Sequence, residues 1–223
     1  MTGLKVAASV FALLIAMLLA QMLFAPPREA TPLATHGMPW QIELPGPGQS
    51  RVFGLTLGGG ASTLADALRL SKEAPTLALL TPQDAPAALE AYFETVSLGT
   101  LTGKLVLSIA ASPGELEAMR SNAAKTDHLE TGIRKYMLHE ADRQRAERLP
   151  LAAIAFIPSA RLDEAIILQR FGTPAERIRQ GETLEHFLYP AQGLDIVLDS
   201  KGKEVLQYVA PAEFFRLRAP LGK

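Results

Sequence analysis

Twenty consecutive residues, Val6 to Ala25, carry no charge, and Ser9 and Gln21 are their only polar members. A helix of that length rises about 30 Å at roughly 1.5 Å per residue, the thickness of a bilayer's hydrocarbon core. An amphipathic core helix would show a polar face, and none interrupts this run. Lys5 precedes it, and Pro26-Pro27-Arg28-Glu29 ends it. Residues 1–25 are therefore expected to form one transmembrane helix that meets the lipid bilayer through residues 6–25. A cleaved secretory signal is the competing reading. Its apolar region is shorter, about 7–15 residues, and it closes on small residues at two recognition positions. Here Leu23 stands two before Ala25, and Pro26 follows. The expected form is an uncleaved signal anchor.

Orientation follows from the flanks. The short N-terminal flank carries Lys5 and the α-amino group, whereas Arg28 is the basic residue just beyond the run. That bias favours a cytoplasmic N-terminus and a main domain on the outer side of the membrane. In a bacterium this means a single-pass protein of the cytoplasmic (inner) membrane with a periplasmic domain. The chain has no cysteine, which accords with that compartment.

Composition removes several classes of function. Without cysteine there is no disulfide framework, thiolate-ligated zinc, iron–sulfur cluster, thiol nucleophile or lipidated cysteine. The 22 Lys and Arg nearly balance the 23 Asp and Glu, so the chain is not built to neutralise phosphates and no nucleic-acid partner is expected. At 223 residues and 48% hydrophobic, it has enough apolar chain to bury a core.

Residues 26–50 hold six prolines with Gly37, Gly46 and Gly48 among them, a linker composition that resists helix formation. Within it, Trp40-Gln41-Ile42-Glu43-Leu44 alternates apolar and polar residues like a short strand. It is expected either to dock as an edge strand on its own domain or to be offered to an envelope protein partner. Trp40, Ile42 and Leu44 are the candidate partner-binding residues.

Residues 51–223 read as a soluble α+β region of two related strand–helix–three-strand units, about 51–112 and 150–223. The first has a strand at Val52–Leu57, the Gly58-Gly59-Gly60 turn and a helix over Ser62–Leu70 capped by Ser62 or Thr63. Strands follow at Thr76–Leu80, Leu89–Val96 and Leu101–Ile109, the last two as a hairpin. The second has a strand at Leu151–Ile157 and a helix over Arg161–Phe171 stopped by Gly172 and Pro174. Its strands are Glu185–Tyr189, Leu194–Leu198 and Glu204–Val209. Hairpin turns in place of crossovers imply antiparallel sheets. The joining segment, 113–149, is expected to be helical, with a solvated charged face over Arg134–Arg148.

Motifs for chemistry are absent. His36, His128, His139 and His186 lack the paired spacing of metal ligands, and His139-Glu140 lacks the second histidine of a metalloprotease helix. No Gly-x-Ser-x-Gly elbow exposes a nucleophile. The Gly58-Gly59-Gly60-Ala61-Ser62-Thr63 loop lacks both the Lys-Ser/Thr of a P-loop and a third dinucleotide-binding glycine, so it reads as a tight turn. Glu90/Glu94 and Asp195/Asp199 each fall on one strand face, expected to be the wet one. No catalytic residue, metal ligand or cofactor is assigned.

Leu168–Pro211 contains Phe171-Gly172-Thr173-Pro174, His186-Phe187-Leu188-Tyr189, Gly193-Leu194-Asp195-Ile196-Val197-Leu198-Asp199 and Gly202-Lys203-Glu204-Val205-Leu206. This stretch resembles the SmpA/OmlA-like family, the small lipoprotein of the outer-membrane barrel-assembly machinery. The resemblance implies a helix ending in Gly-x-Pro, an aromatic-x-Tyr strand and a hairpin closing a three-stranded sheet. It also implies an envelope setting, and it carries no individual site residue. Phe187 stands where that family tends to show Trp, and the family's lipidated cysteine is absent. The expected function is that of a membrane-anchored envelope protein acting by protein or ligand binding without catalysis. An envelope hydrolase or small-ligand sensor with a site assembled from dispersed residues is the alternative.

Overall fold

A computed structural model describes residues 40–81, 86–128 and 132–222, so the expected membrane helix and most of the linker lie outside the described residues. Among those described, no helix is long and apolar enough to cross a membrane. The region is α+β, dominated by antiparallel sheet. In chain order it runs β1 (Ser50–Val52), β2 (Leu55–Leu57), α1 (Leu64–Ala67), β3 (Thr76–Thr81), β4 (Ala88–Leu98) and β5 (Leu101–Ile109). Next come α2 (Pro113–Ser121), β6 (Lys125–His128), β7 (Arg134–Met137), α3 (Glu140–Glu147) and β8 (Leu151–Pro158). The chain closes with α4 (Glu164–Phe171), β9 (Glu176–Gln180), β10 (Leu184–Tyr189), β11 (Leu194–Asp199), β12 (Val205–Val209) and α5 (Phe215–Arg218).

Ten strands make one sheet, ordered β6-β7-β3-β4-β5-β8-β12-β11-β10-β9. The two expected units thus share a sheet instead of holding one each, and the seam is the antiparallel β5–β8 ladder, Leu105 opposite Phe156 and Leu107 opposite Ile154. Strand alternation aligns one inner face across the sheet. Leu79, Leu89, Leu107, Ile154, Tyr208, Ile196 and Phe187 all lie on it, each buried in the main core. The β1–β2 hairpin, α1 and α4 contribute Leu55, Leu64 and Ile167 to the same core. On the opposite, outer face, Leu188 and Val209 form a second small cluster with Phe214 from the C-terminal segment.

Local chemistry sets the boundaries. Thr63 and Asp66 form a capping box at α1, Ser112 and Glu115 another at α2 with Pro113 in its first turn, and Asp163 caps α4. Each cap satisfies amide groups that a helix start leaves without an intrahelical acceptor. Gly172, at φ +78°, ends α4 where a side chain would be strained.

Three further expectations change. Val52–Leu57 is a hairpin, because Phe53 and Gly54 both take positive φ, 55° and 77°, the requirement of a two-residue primed turn. The Phe53 ring repays that strain by packing on Phe156 and Tyr208, with centroids at 5.3 and 5.5 Å. Segment 113–149 is not wholly helical: between α2 and α3 it forms the β6–β7 hairpin, and β7 pairs with β3. Tertiary pairing there overrides a weakly patterned, polar sequence. Finally, β9 was not expected as a strand. Its polar run, Glu176-Arg177-Ile178-Arg179-Gln180, suits a sheet edge, where charge discourages further pairing.

Candidate functional site

At one end of the inner face, between the start of α4 and the ends of β10 and β11, lies a cleft of about 820 Å³. Register builds its floor. Glu185 opposes Arg179 on one side and Leu198 on the other. Glu204, one residue before the Val205–Val197 pair, continues that row beside Leu198. Glu204 also keeps phase with Leu206 and Tyr208, both buried in the main core, so its carboxylate lies on the inner face below the cleft. The walls come from Arg161, Leu162, Asp163 and Glu164 at the start of α4 and from the Gly181–Thr183 turn.

Most charges here have fixed partners. Arg177 beside the cleft bonds Glu164 at 2.7 Å and Glu185 at 3.0 Å, and those bonds raise its already high pKa. Its guanidinium also sits 4.5 Å over the Phe187 ring. Asp163 accepts from the Ile166 amide at 2.8 Å, and Asp199 accepts from the Lys201 amide at 3.0 Å. Glu204 is different. It is only 2% exposed, and its Oε2 has no hydrogen-bond partner.

A second polar group is buried on the outer face. His186 and Asp195 meet there at 2.8 Å, with side chains 7% and 2% exposed. Burial raises the Asp195 carboxyl above its ordinary value, while its hydrogen bond to His186 pulls the other way. This corrects the wet-face expectation for Asp195, because the C-terminal cluster of Phe214 covers part of that face. Among the paired acids, Glu94 alone is exposed, whereas Glu90 and Asp199 are half-buried.

Trp40, Ile42 and Leu44 do not join the cleft. Trp40 is half-buried, with the Arg170 guanidinium 4.0 Å over its ring. Ile42 packs against the main core, Glu43 makes an isolated antiparallel bridge to Arg51 of β1, and Leu44 is 54% exposed.

The cleft residues were missed because they are scattered over 44 positions and belong to no motif. One signal was readable: Glu204 and Glu185 each stand in phase with core residues of their strands, which is where an acid is costly. Chemically, the cleft lining has acids, arginines and hydroxyls but neither histidine nor cysteine. Among the described residues, no group of three or more His, Cys, Asp or Glu is placed to hold a metal ion. The arrangement suits ion pairing and hydrogen bonding with a polar ligand. No protein-family model matches this chain, and neither does any curated protein or solved structure.

Proposed function

We propose that this chain is a membrane-anchored envelope protein whose folded region acts by binding, with the α4–β10–β11 cleft as its ligand or partner surface. The observation that carries the reading is the cleft itself: a wide groove whose charged side chains are held by strands and a capped helix. Such pre-placed polar groups in a concave site are how proteins fix a ligand's orientation. The uncharged run Val6–Ala25 and the Pro/Gly-rich stretch after it support a tether that holds this surface on the outer side of the inner membrane. The resemblance of 168–211 to the SmpA/OmlA-like family supports an envelope setting. A helix followed by antiparallel strands in each half supports a reading as two related units. The buried His186–Asp195 pair favours structure over hydrolysis, since a catalytic base must reach its substrate.

The test uses the full chain in a bacterial envelope. A photocrosslinking amino acid replaces exposed Glu182 at the cleft rim, or exposed Gln144 on α3 as a control. Adducts at 182 and none at 144 are expected, together with digestion of the domain by protease added to spheroplasts. No adduct at 182 would remove the binding reading. Protection until lysis would invert the topology.

A further inference from the structure

We propose that the cleft is a site for an organic cation, an ammonium or guanidinium group, which pairs with Glu204; this rests on reading the cleft as a binding surface. Two independent observations converge on it. The first is the charge of the lining: besides Glu204 it holds five acids, Asp163, Glu164, Glu182, Glu185 and Asp199, against Arg161 and Arg179 in the lining and Arg177 beside it. Four of those acids are already engaged. Asp163 and Asp199 hold turns through backbone amides, and Glu164 and Glu185 hold Arg177. The second is Glu204, almost wholly buried on the inner face with Oε2 unpartnered. A buried polar atom left without a partner calls for a specific explanation.

Glu204 is also poorly explained by the fold alone. An apolar residue in phase with Leu206 and Tyr208 would extend the core at no desolvation cost. A carboxylate there gains when a cationic donor completes its hydrogen bonds. Ligands of inorganic type fit less well, because no cluster suited to a metal is present among the described residues. An organic cation needs one buried carboxylate, a second acid at the rim such as Glu182, and width for its carbon skeleton. The cleft supplies all three.

The cation has two possible sources, a free amine or the side chain of a Lys- or Arg-containing peptide, and one experiment separates them. Full-length protein in nanodiscs is titrated with a fluorescently labelled Gly-Ala-Arg-Ala-Gly peptide, read by anisotropy. The same peptide with citrulline for arginine removes the charge at nearly constant shape. Methylguanidinium and butylammonium serve as unlabelled competitors. The arginine peptide is expected to bind at least about tenfold more tightly than the citrulline peptide. Glu204→Gln should lose about tenfold in affinity for the arginine peptide, and Glu73→Gln, on an exposed residue outside the cleft, should lose none. Small cations that compete as well as the peptide binds would identify a free amine; much weaker competition would identify a peptide side chain. Equal binding of arginine and citrulline peptides overturns the proposal, and that arm needs no variant to fold. Full affinity in a folded Glu204→Gln protein overturns it too, as does a lack of any cation binding up to about 10 mM. If those arms fail while the adduct at position 182 persists, the cation is wrong and the binding surface stands. Loss of the adduct strikes the binding reading itself.

Discussion

His186 Nδ1 and Asp195 Oδ2 lie 2.8 Å apart, and the meeting is a product of register. His186 opposes Val197 while Leu188 opposes Asp195, so the two are diagonal neighbours on one face of β10 and β11, within reach of polar side chains. Their other polar atoms, His186 Nε2 and Asp195 Oδ1, are buried without partners. The pair is therefore half-satisfied, and each member depends on the other.

That dependence predicts strong coupling. Asp195→Leu leaves the imidazole buried with neither nitrogen paired, and should cost about 3 kcal/mol, as breaking one side of a buried pair does. His186→Leu should cost a similar amount by stranding the carboxylate. The double variant His186→Leu/Asp195→Leu should recover most of the loss, because an apolar pair of similar volume needs no partner. Urea unfolding at neutral pH of both singles and the double closes the cycle. Additive losses would mean that the two side chains do not act as a unit.

Glu90 gives a prediction in pH. It sits near the start of β4 between Ala78 of β3 and Ser108 of β5, and burial raises its carboxyl above the ordinary value. A raised folded-state pKa means that the native state binds the proton more tightly than the unfolded state. Its stabilising contribution is complete below the unfolded pKa and is lost as pH rises through the folded pKa. Glu90→Gln should therefore unfold at a higher temperature than the parent at pH 7, with the gap closing as pH falls through the carboxylate range. A gap that widens on acidification would contradict the sign.

Legibility in the sequence tracked locality. The β4–β5 hairpin was readable because Leu98 and Leu101 flank a two-residue turn and β5 alternates cleanly, as β4 does up to the register shift between Phe93 and Val96. The stop of α4 at Gly172 was readable for the same local reason. What could not be read depended on partners distant in sequence. β9 is a strand because β10 accepts it, and its five residues show no apolar period. Asp195 is buried because Leu194–Val197 are covered on both faces, and one cover arrives from Phe214. The cleft shows the same limit: strand register brings Arg179 and Glu204 to one row, and the segment before α4 brings Arg161 to the same lining.

Gly103 tests the seam between the two halves. It lies on β5 opposite Pro158 of β8 and Val96 of β4. A Cβ there would come within 2.7 Å of the Phe156 ring, as well as overlapping the Ile157 carbonyl. Phe156 is itself 1% exposed and anchored in the core, so the ring has no free direction in which to yield. Gly103→Ala should destabilise by about 1–3 kcal/mol through overpacking. Adding Phe156→Leu should not restore it, because the nearest clash is with the Ile157 backbone carbonyl and the buried ring's own packing is lost as well. Thermal melts of the single and double variants check this, and an unchanged melt for Gly103→Ala would show that the seam can shift without cost.

The C-terminal segment separates packing from charge at one place in the fold. Phe214, 7% exposed, packs with Leu188 and Val209 in the outer-face cluster. A few residues on, Arg218 bonds both carboxylate oxygens of Glu176 on edge strand β9, at 2.8 and 2.9 Å. Both contacts clamp the same segment onto the sheet, but they differ in solvent access. Phe214→Ala removes a buried ring and leaves a cavity, so it should cost about 3 kcal/mol. Arg218→Ala removes an ion pair in water and should change global stability far less, with an effect that fades at high salt. Hydrogen exchange resolves the two further. Phe214→Ala should raise exchange across β10 and β12, which the ring covers, whereas Arg218→Ala should raise it mainly along β9, the strand it ties down. Equal protection loss on β10 in both variants would show that the ion pair holds the segment as firmly as the ring does, and would overturn this division of roles.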